Sequence, residues 1–337
     1  MGDLPIEMSH GKEAEYEGGG QSVERCEERN LAQEQRPPLI GDRGWGRWMN
    51  AAPRMRMVSP PGSNCSILTP MQEQSRKPMV PDNPLGGRTL IVDAKDDRYY
   101  PSPGMALADA REDDQVYIRP GIYEDKILIS DRSVHLVGAG RDQVTIFSRR
   151  SGPLYLQRVS RGTVSGISFR YVGSDQHAAI NVLDSACTIS RCRAKDGVLS
   201  GVLLYGPECS VVFTENEVCG NRESGIFVFA GARPRVVANQ CFDNHHFGIA
   251  VRDPTSQPEL IRNLCEKNML SGILLFSQAG ALLLDNICRQ NHQWGVVMTP
   301  DAKPNPVPPE LPAMNRLFDN PCGAIRATEQ PLIDIGR

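Results

Sequence analysis

From Gly201 onward the chain repeats one short pattern of apolar and polar positions. A glycine precedes an apolar residue at Gly201-Val202, Gly225-Ile226, Gly248-Ile249, Gly272-Ile273 and Gly295-Val296, at intervals of 24, 23, 24 and 23 residues. Two asparagines keep step: Asn216, Asn239, Asn263 and Asn286, and five residues later Asn221, Asn244, Asn268 and Asn291. The pair returns as Asn315 and Asn320 after a proline-rich insertion, "TPDAKPNPVPPELPAM". The apolar runs between these anchors are short and alternate with polar residues, which is the period of a strand. A unit of about 23 residues with short strands and no helix predicts one coil of a right-handed parallel β-helix, its backbone paired with the coils above and below roughly 4.8 Å away. The fold class expected is all-β, a single-stranded solenoid of about 23–24 residues per coil.

Stacked coils place like positions in columns. The asparagine columns predict amide ladders, with the asparagines themselves in the left-handed turn conformation they tolerate. The glycines are expected at turns that need a positive φ. Phe213, Val236, Leu260 and Leu283, three residues before the first asparagine, are expected to face inward. So is the column two residues after it: Val218, Cys241, Cys265, Cys288 and Leu317. Cysteine alternates there with valine and leucine, as a small buried apolar side chain does. Thiols on successive coils do not form the compact ligand set of a zinc site, so no metal and no other cofactor is expected.

The upstream sequence changes the picture in two places. Residues 1–86 are rich in Gly, Pro, Glu, Arg and Gln without an apolar period, which predicts a disordered tail. Trp45, Trp48, Met55 and Met57 read as incidental residues of a solvated tail, with a short docking segment as the alternative. Order is expected over 87–327, starting with the strand "RTLIVDA" and a capping helix near 101–112. Ser102 is placed to cap that helix, with Pro103 in its first turn and Met105, Leu107, Ala108 and Ala110 along it. Residues 328–337 are read as a C-terminal tail. The net charge of −3 gives no electrostatic case for nucleic acid or an anionic membrane, and no apolar run reaches the length of a span. The N-terminus lacks the apolar segment of a secretory signal, so the ten cysteines are expected as reduced thiols in a cytoplasmic or nuclear protein.

The segments "GARPRVVANQCFDNHHFGIAV", "SQPELIRNLCEKNMLSGILLF" and "AGALLLDNICRQNHQWGVVM" resemble the CASH-type β-helix repeats of F-box proteins, and are similar to the SHC-binding spindle protein and to bacterial periplasmic copper-maturation β-helix proteins. The resemblance covers about residues 88–325 and implies a pectin-lyase-like fold with a recognition or adaptor role. Leu4-Pro5 stands near the start, but the leucine-rich helices of an F-box do not follow it in the first 86 residues. A second stretch, "VYIRPGIYEDKILISDRSVHLVGAGRDQVTI", is similar to the opening of pectin methylesterases, and "DQHAAINV" echoes a further segment with Gln176 offset. Their two aspartates have no full counterpart: Asp196 lacks the flanking residues and the second is absent.

A β-helix hydrolase or lyase gathers acids on adjacent coils of one face, yet the column before the first asparagine reads Glu215, Ala238, Arg262, Asp285. Its two acids stand three coils apart, about 14 Å at the sheet spacing and beyond the carboxylate separations of glycosidases. The column of Asp184 and Asp253 also brings no acids together, and His245 and His292 are two coils apart. No catalytic residue is assigned. Apolar residues stand out instead. In the strand after each glycine the second and fourth residues point outward, giving Leu203, Tyr205, Phe227, Phe229, Arg252, Leu274 and Phe276 as a stripe. Three readings stay open: cover by the tail or by the 300–313 insertion, a protein partner, or a polysaccharide. The leading expectation is a non-catalytic scaffold for a protein partner; the alternative is a polysaccharide-active enzyme or a carbohydrate-binding module.

Overall fold

The computed structural model describes residue 83 and residues 86–307 and 310–327. Strand β1 (Thr89–Val92) and the helix α1 (Pro103–Asp109) come first, then three strands per coil: β2 (Gln115–Ile118), β3 (Gly121–Glu124) and β4 (Ile127–Ser130) make the opening turn of a right-handed parallel solenoid. The next coil follows with β5 (His135–Gly138), β6 (Val144–Ser148) and a third strand at Leu154–Gln157. Nine coils build three parallel sheets, the first of ten strands including β1 and the other two of nine. No helix among the described residues is long and apolar enough to cross a membrane.

The helix begins as expected. The Ser102 hydroxyl accepts the Met105 N–H at 3.4 Å, and Pro103 stands in the first turn. Its buried face is Pro103, Ala106 and Leu107, whereas Met105 is exposed. The last carbonyls find a cation: Arg132 donates to Leu107 O at 2.8 Å and to Ala110 O at 3.0 Å. The helix thus covers the apolar end of the first coil.

The inward columns are buried as the pattern requires. Phe213, Val236, Leu260 and Leu283 form one, and Val218, Cys241, Cys265 and Cys288 another. Leu317, the last of that column, is only half-buried because no further coil lies below it. Seven of the described cysteines are free thiols, while Cys322 is disulfide-bonded, which corrects the expectation of ten thiols.

Both asparagine ladders are continuous and lie inside the solenoid. Asn263 Oδ1 accepts from the Asn239 N–H and Nδ2, each at 3.0 Å, while Asn263 Nδ2 donates to Asn286 Oδ1 at 3.0 Å and to Val236 O at 2.8 Å. The ladder runs from Asn216 to Asn315, and its twin from Asn221 to Asn320. The left-handed residue is not the asparagine but the one before it: Glu215, Ala238, Arg262 and Asp285 have φ of 57°, 54°, 53° and 56°. That corner turns the chain and presents the next side chain inward, where a short amide meets its own kind.

The phased glycines correct the expectation in a similar way. Gly201, Gly225, Gly248, Gly272 and Gly295 are absent from the positive-φ residues. A Cβ on Gly248 would stand 2.7 Å from the Gly272 carbonyl and 2.8 Å from Cys265 Cβ. Gly272 meets Cys288 in the same manner, at 2.7 Å. Glycine is needed for close approach to the next coil, and the glycine and cysteine columns are two sides of one contact.

The proline-rich insertion also holds a strand. Lys303–Asn305 pairs with Gly280–Leu284 and closes the first sheet, so this part of the insertion lies in a different sheet from the aromatic stripe and does not cover it. The tail assigned to 1–86, except for Asn83 and Gly86, and the tail 328–337 lie outside the described residues.

Candidate functional site

Two outer surfaces carry chemistry. The first is the stripe on the third sheet. Its register is regular: Leu203 lies beside Phe227, then Ala250, Leu274 and Val297, while Tyr205 lies beside Phe229, and Arg252 beside Phe276. Leu203, Tyr205, Phe227 and Phe229 are half-buried and Arg252 is exposed. Leu274 and Phe276, expected to face solvent, are 1% and 6% exposed. They belong to a second apolar cluster with Phe247, Ala250 and Val297, against which Phe227, Leu270 and Trp294 pack. Phe247 and Leu270 come from the corners beside the strands and Trp294 from the first residue of the strand Trp294–Met298, all outside the columns read from the repeat.

The exposed half of the stripe is internally stacked. Tyr205 and Phe229 have centroids 5.2 Å apart and planes within 6°, and Phe227 lies 4.9 Å from Phe229. The Arg252 guanidinium sits 5.4 Å from the Phe229 centroid and 5.5 Å from that of Phe227. Burial, with Tyr155 and Asp184 nearby, pushes the Tyr205 hydroxyl above its usual pKa. The ring faces are turned toward one another and toward the guanidinium, so the surface offers ring edges. That suits a flat apolar contact better than stacking on a pyranose.

The second surface is a groove on the outside of the second sheet, with a volume of about 390 Å³. One outward column places Ile122, Thr145, Ser168, Arg193 and Glu217 on successive coils; the next places Glu124, Phe147, Arg170, Lys195 and Cys219. Alternation explains the pair Arg193 and Lys195: Ala194 between them points into the core. Arg141, Arg149, Arg170, Arg193 and Lys195 line the groove, with Asp142 as its one lining carboxylate.

The cations are held from the rim. Arg149 pairs with Glu124 at 3.2 Å, Arg170 with Asp196, Arg193 with Asp142 at 2.9 Å and with Glu217 at 2.5 Å, and Arg141 with Glu217 at 2.7 Å. Lys195 has no ion pair among the described residues. Burial draws the Arg193 pKa down, but Glu217 and Asp142 outweigh it and leave the guanidinium above its ordinary value. Phe147 lies under the Arg149 guanidinium at 5.4 Å and gives the floor an apolar patch. The result is a concave strip of fixed donors over several coils, suited to carboxylates and hydroxyls of an extended ligand.

The columns of acids in the repeat do not lead to this groove, whose chemistry is cationic. The available signal was "SRR", "SFRY" and "RAK" at one-coil spacing, 148–150, 168–171 and 193–195. In none of the three sheets do two carboxylates face each other on adjacent coils among the described pairs. No group of three or more His, Cys, Asp or Glu residues among the described residues is placed to hold a metal.

The right handed beta helix region family matches residues 127–306, more than half of the chain. No curated protein matches the sequence. Solved structures with a similar course include a pectin methylesterase from carrot, at 11% identity and TM-score 0.47, covering 73% of this chain and 85% of that one. Another is the catalytic domain of a GH87 alpha-1,3-glucanase in complex with nigerose, at 15% identity and TM-score 0.49, covering 74% of this chain and 46% of that one. A third is the A-module of an Azotobacter vinelandii mannuronan C-5 epimerase, at 14% identity and TM-score 0.31, covering 67% of this chain and 89% of that one. This chain spans less than half of the glucanase domain, and likenesses this distant carry no argument about activity.

Proposed function

We propose, for a chain that belongs to the right-handed β-helix family, that it is a non-catalytic scaffold binding an extended acidic polysaccharide along the second sheet. The observation that carries this reading is the groove of about 390 Å³, in which four arginines and Lys195 converge from successive coils and an adjoining turn. A rigid solenoid presents such donors without ordering them at the moment of binding, which lowers the entropic cost. The two carboxylates at the groove, Asp142 and Glu217, are both held by the Arg193 guanidinium, so neither stands free as a general acid or base, which supports binding without turnover.

Affinity electrophoresis of the full chain through gels containing polygalacturonate or a neutral glucan tests this. Retardation by the acidic polymer alone, relieved by salt, is the expected result. Equal mobility in both gels would remove the proposal.

A second reading is favoured by one observation, the stacked rings of Tyr205, Phe227 and Phe229 with Arg252 above them on a half-exposed surface. It is a protein contact, in keeping with the resemblance to β-helix regions of F-box β-helix proteins and the SHC-binding spindle protein. Pull-downs with the Tyr205→Ala and Phe229→Ala variants test it: lost recovery of a defined partner supports the contact, and unchanged recovery removes it.

A further inference from the structure

The turn 139–143 between β5 and β6 brings two charges to a place that the repeat alone does not reach. Arg141 belongs to the second coil, yet its guanidinium meets Glu217 of the fifth coil at 2.7 Å and donates to the Glu215 carbonyl at 3.0 Å. Its neighbour Asp142 takes Arg193 at 2.9 Å, and Arg193 holds Glu217 at 2.5 Å. Four side chains therefore form one run, Arg141–Glu217–Arg193–Asp142, with two charges of each sign. Glu217 and Arg193 are mostly shielded, at 16% and 25% side-chain exposure. Arg141 also lines a second hollow of about 660 Å³ at the corner of the first and second sheets, which extends past Glu215 to Gln240. The run of charges stands where the two hollows adjoin.

We propose that this run is a self-inhibiting latch: Glu217 and Asp142 occupy the guanidinium groups that an acidic polymer would take, and a ligand carboxylate enters by exchanging with them. The inference rests on the acidic-polysaccharide reading of the groove. Exchange keeps the number of ion pairs constant, so its outcome depends on effective concentration. A tethered carboxylate competes at high local concentration, and only a ligand with several charges overcomes it. Release of Arg141 joins the two hollows and lengthens the bound segment.

The test is calorimetric titration of the full chain with polygalacturonate oligomers of graded length, comparing wild type with Glu217→Gln and Asp142→Asn. Glu266→Gln, which breaks the pair with Arg289 elsewhere on the same sheet, serves as control. The latch predicts that E217Q binds about fivefold tighter, the size of one partly screened ion pair, with the gain larger for longer oligomers and none in E266Q. Should E217Q melt below wild type, D142N, whose side chain is 75% exposed, carries the same test. Unchanged or weaker binding by a folded variant overturns the latch while wild-type binding keeps the groove. Failure of wild type and variants alike to bind any oligomer removes the groove reading, and the latch with it.

Discussion

At the residue scale the buried amides and the glycine–cysteine contacts set the solenoid's tolerance. Asn263 supplies partners for the Asn239 N–H and the Val236 carbonyl, and both would be orphaned in a dry interior by Asn263→Ala. That substitution is expected to destabilise by about 3 kcal/mol, more than an ordinary surface change. Gly248→Ala puts a methyl against the Gly272 carbonyl and Cys265, and overpacking of this kind costs about 1–3 kcal/mol. Chemical denaturation with an unchanged m-value checks both; a loss below about 0.5 kcal/mol for either would contradict the packing account. Two titrating groups give opposite pH signatures. Burial holds His135 below its ordinary pKa of 6.5, so the unfolded chain binds the proton more readily and stability falls as pH drops below that value. The melting temperature is therefore expected to be lower at pH 5.5 than at pH 7.5 in wild type, with a smaller difference in His135→Asn. Burial raises the Glu223 pKa above 4.5, against a smaller opposing effect of the Ser200 hydroxyl. Its contribution is favourable below the unfolded pKa and lost as pH rises through the folded one. Glu223→Gln should melt above wild type at pH 7.5 and converge with it near pH 4; the reverse order would contradict the burial assignment.

At the element scale the strands of the second sheet carry the proposed site, and charge reversal there reads out directly. Lys195→Glu adds a carboxylate beside Arg170 and Arg193 and removes a lining cation without an ion pair among the described residues. It is expected to weaken binding of an acidic polymer by about tenfold or more at low salt, with the difference shrinking as salt screens it. Equal affinity over a salt series would show that the ligand lies elsewhere. Elements also divide what was legible in the sequence from what was not. Stacking demands the same residue at the same place in every coil, so the asparagine, glycine and inward columns were visible as a period. The glycine's reason was not visible, because close approach to Cys265 depends on spacing across coils. Nor was the cover over Leu274 and Phe276, since Phe247, Leu270 and Trp294 lie outside the columns that the repeat makes visible. The groove was hidden because its cations come from two columns, a turn and the end of a strand. The strand Lys303–Asn305 was hidden because prolines mask it.

At the scale of the whole molecule, each coil pairs its strands only with those of its neighbours, so stability grows largely by addition and a long face stays rigid. Rigidity is what a binding scaffold needs and what makes sites on different sheets separable: the groove and the stripe should respond independently to substitution. Variants at Phe229 are expected to leave polymer affinity within about twofold, as distant sites add without coupling. The most direct test of the account is one calorimetric titration of the full chain with polygalacturonate, followed by sizing and end-group analysis of the recovered polymer. The account predicts saturable, salt-sensitive binding and a polymer returned with its length and groups unchanged. A polymer that comes back shortened or modified, or no heat above the neutral-glucan control, would contradict it.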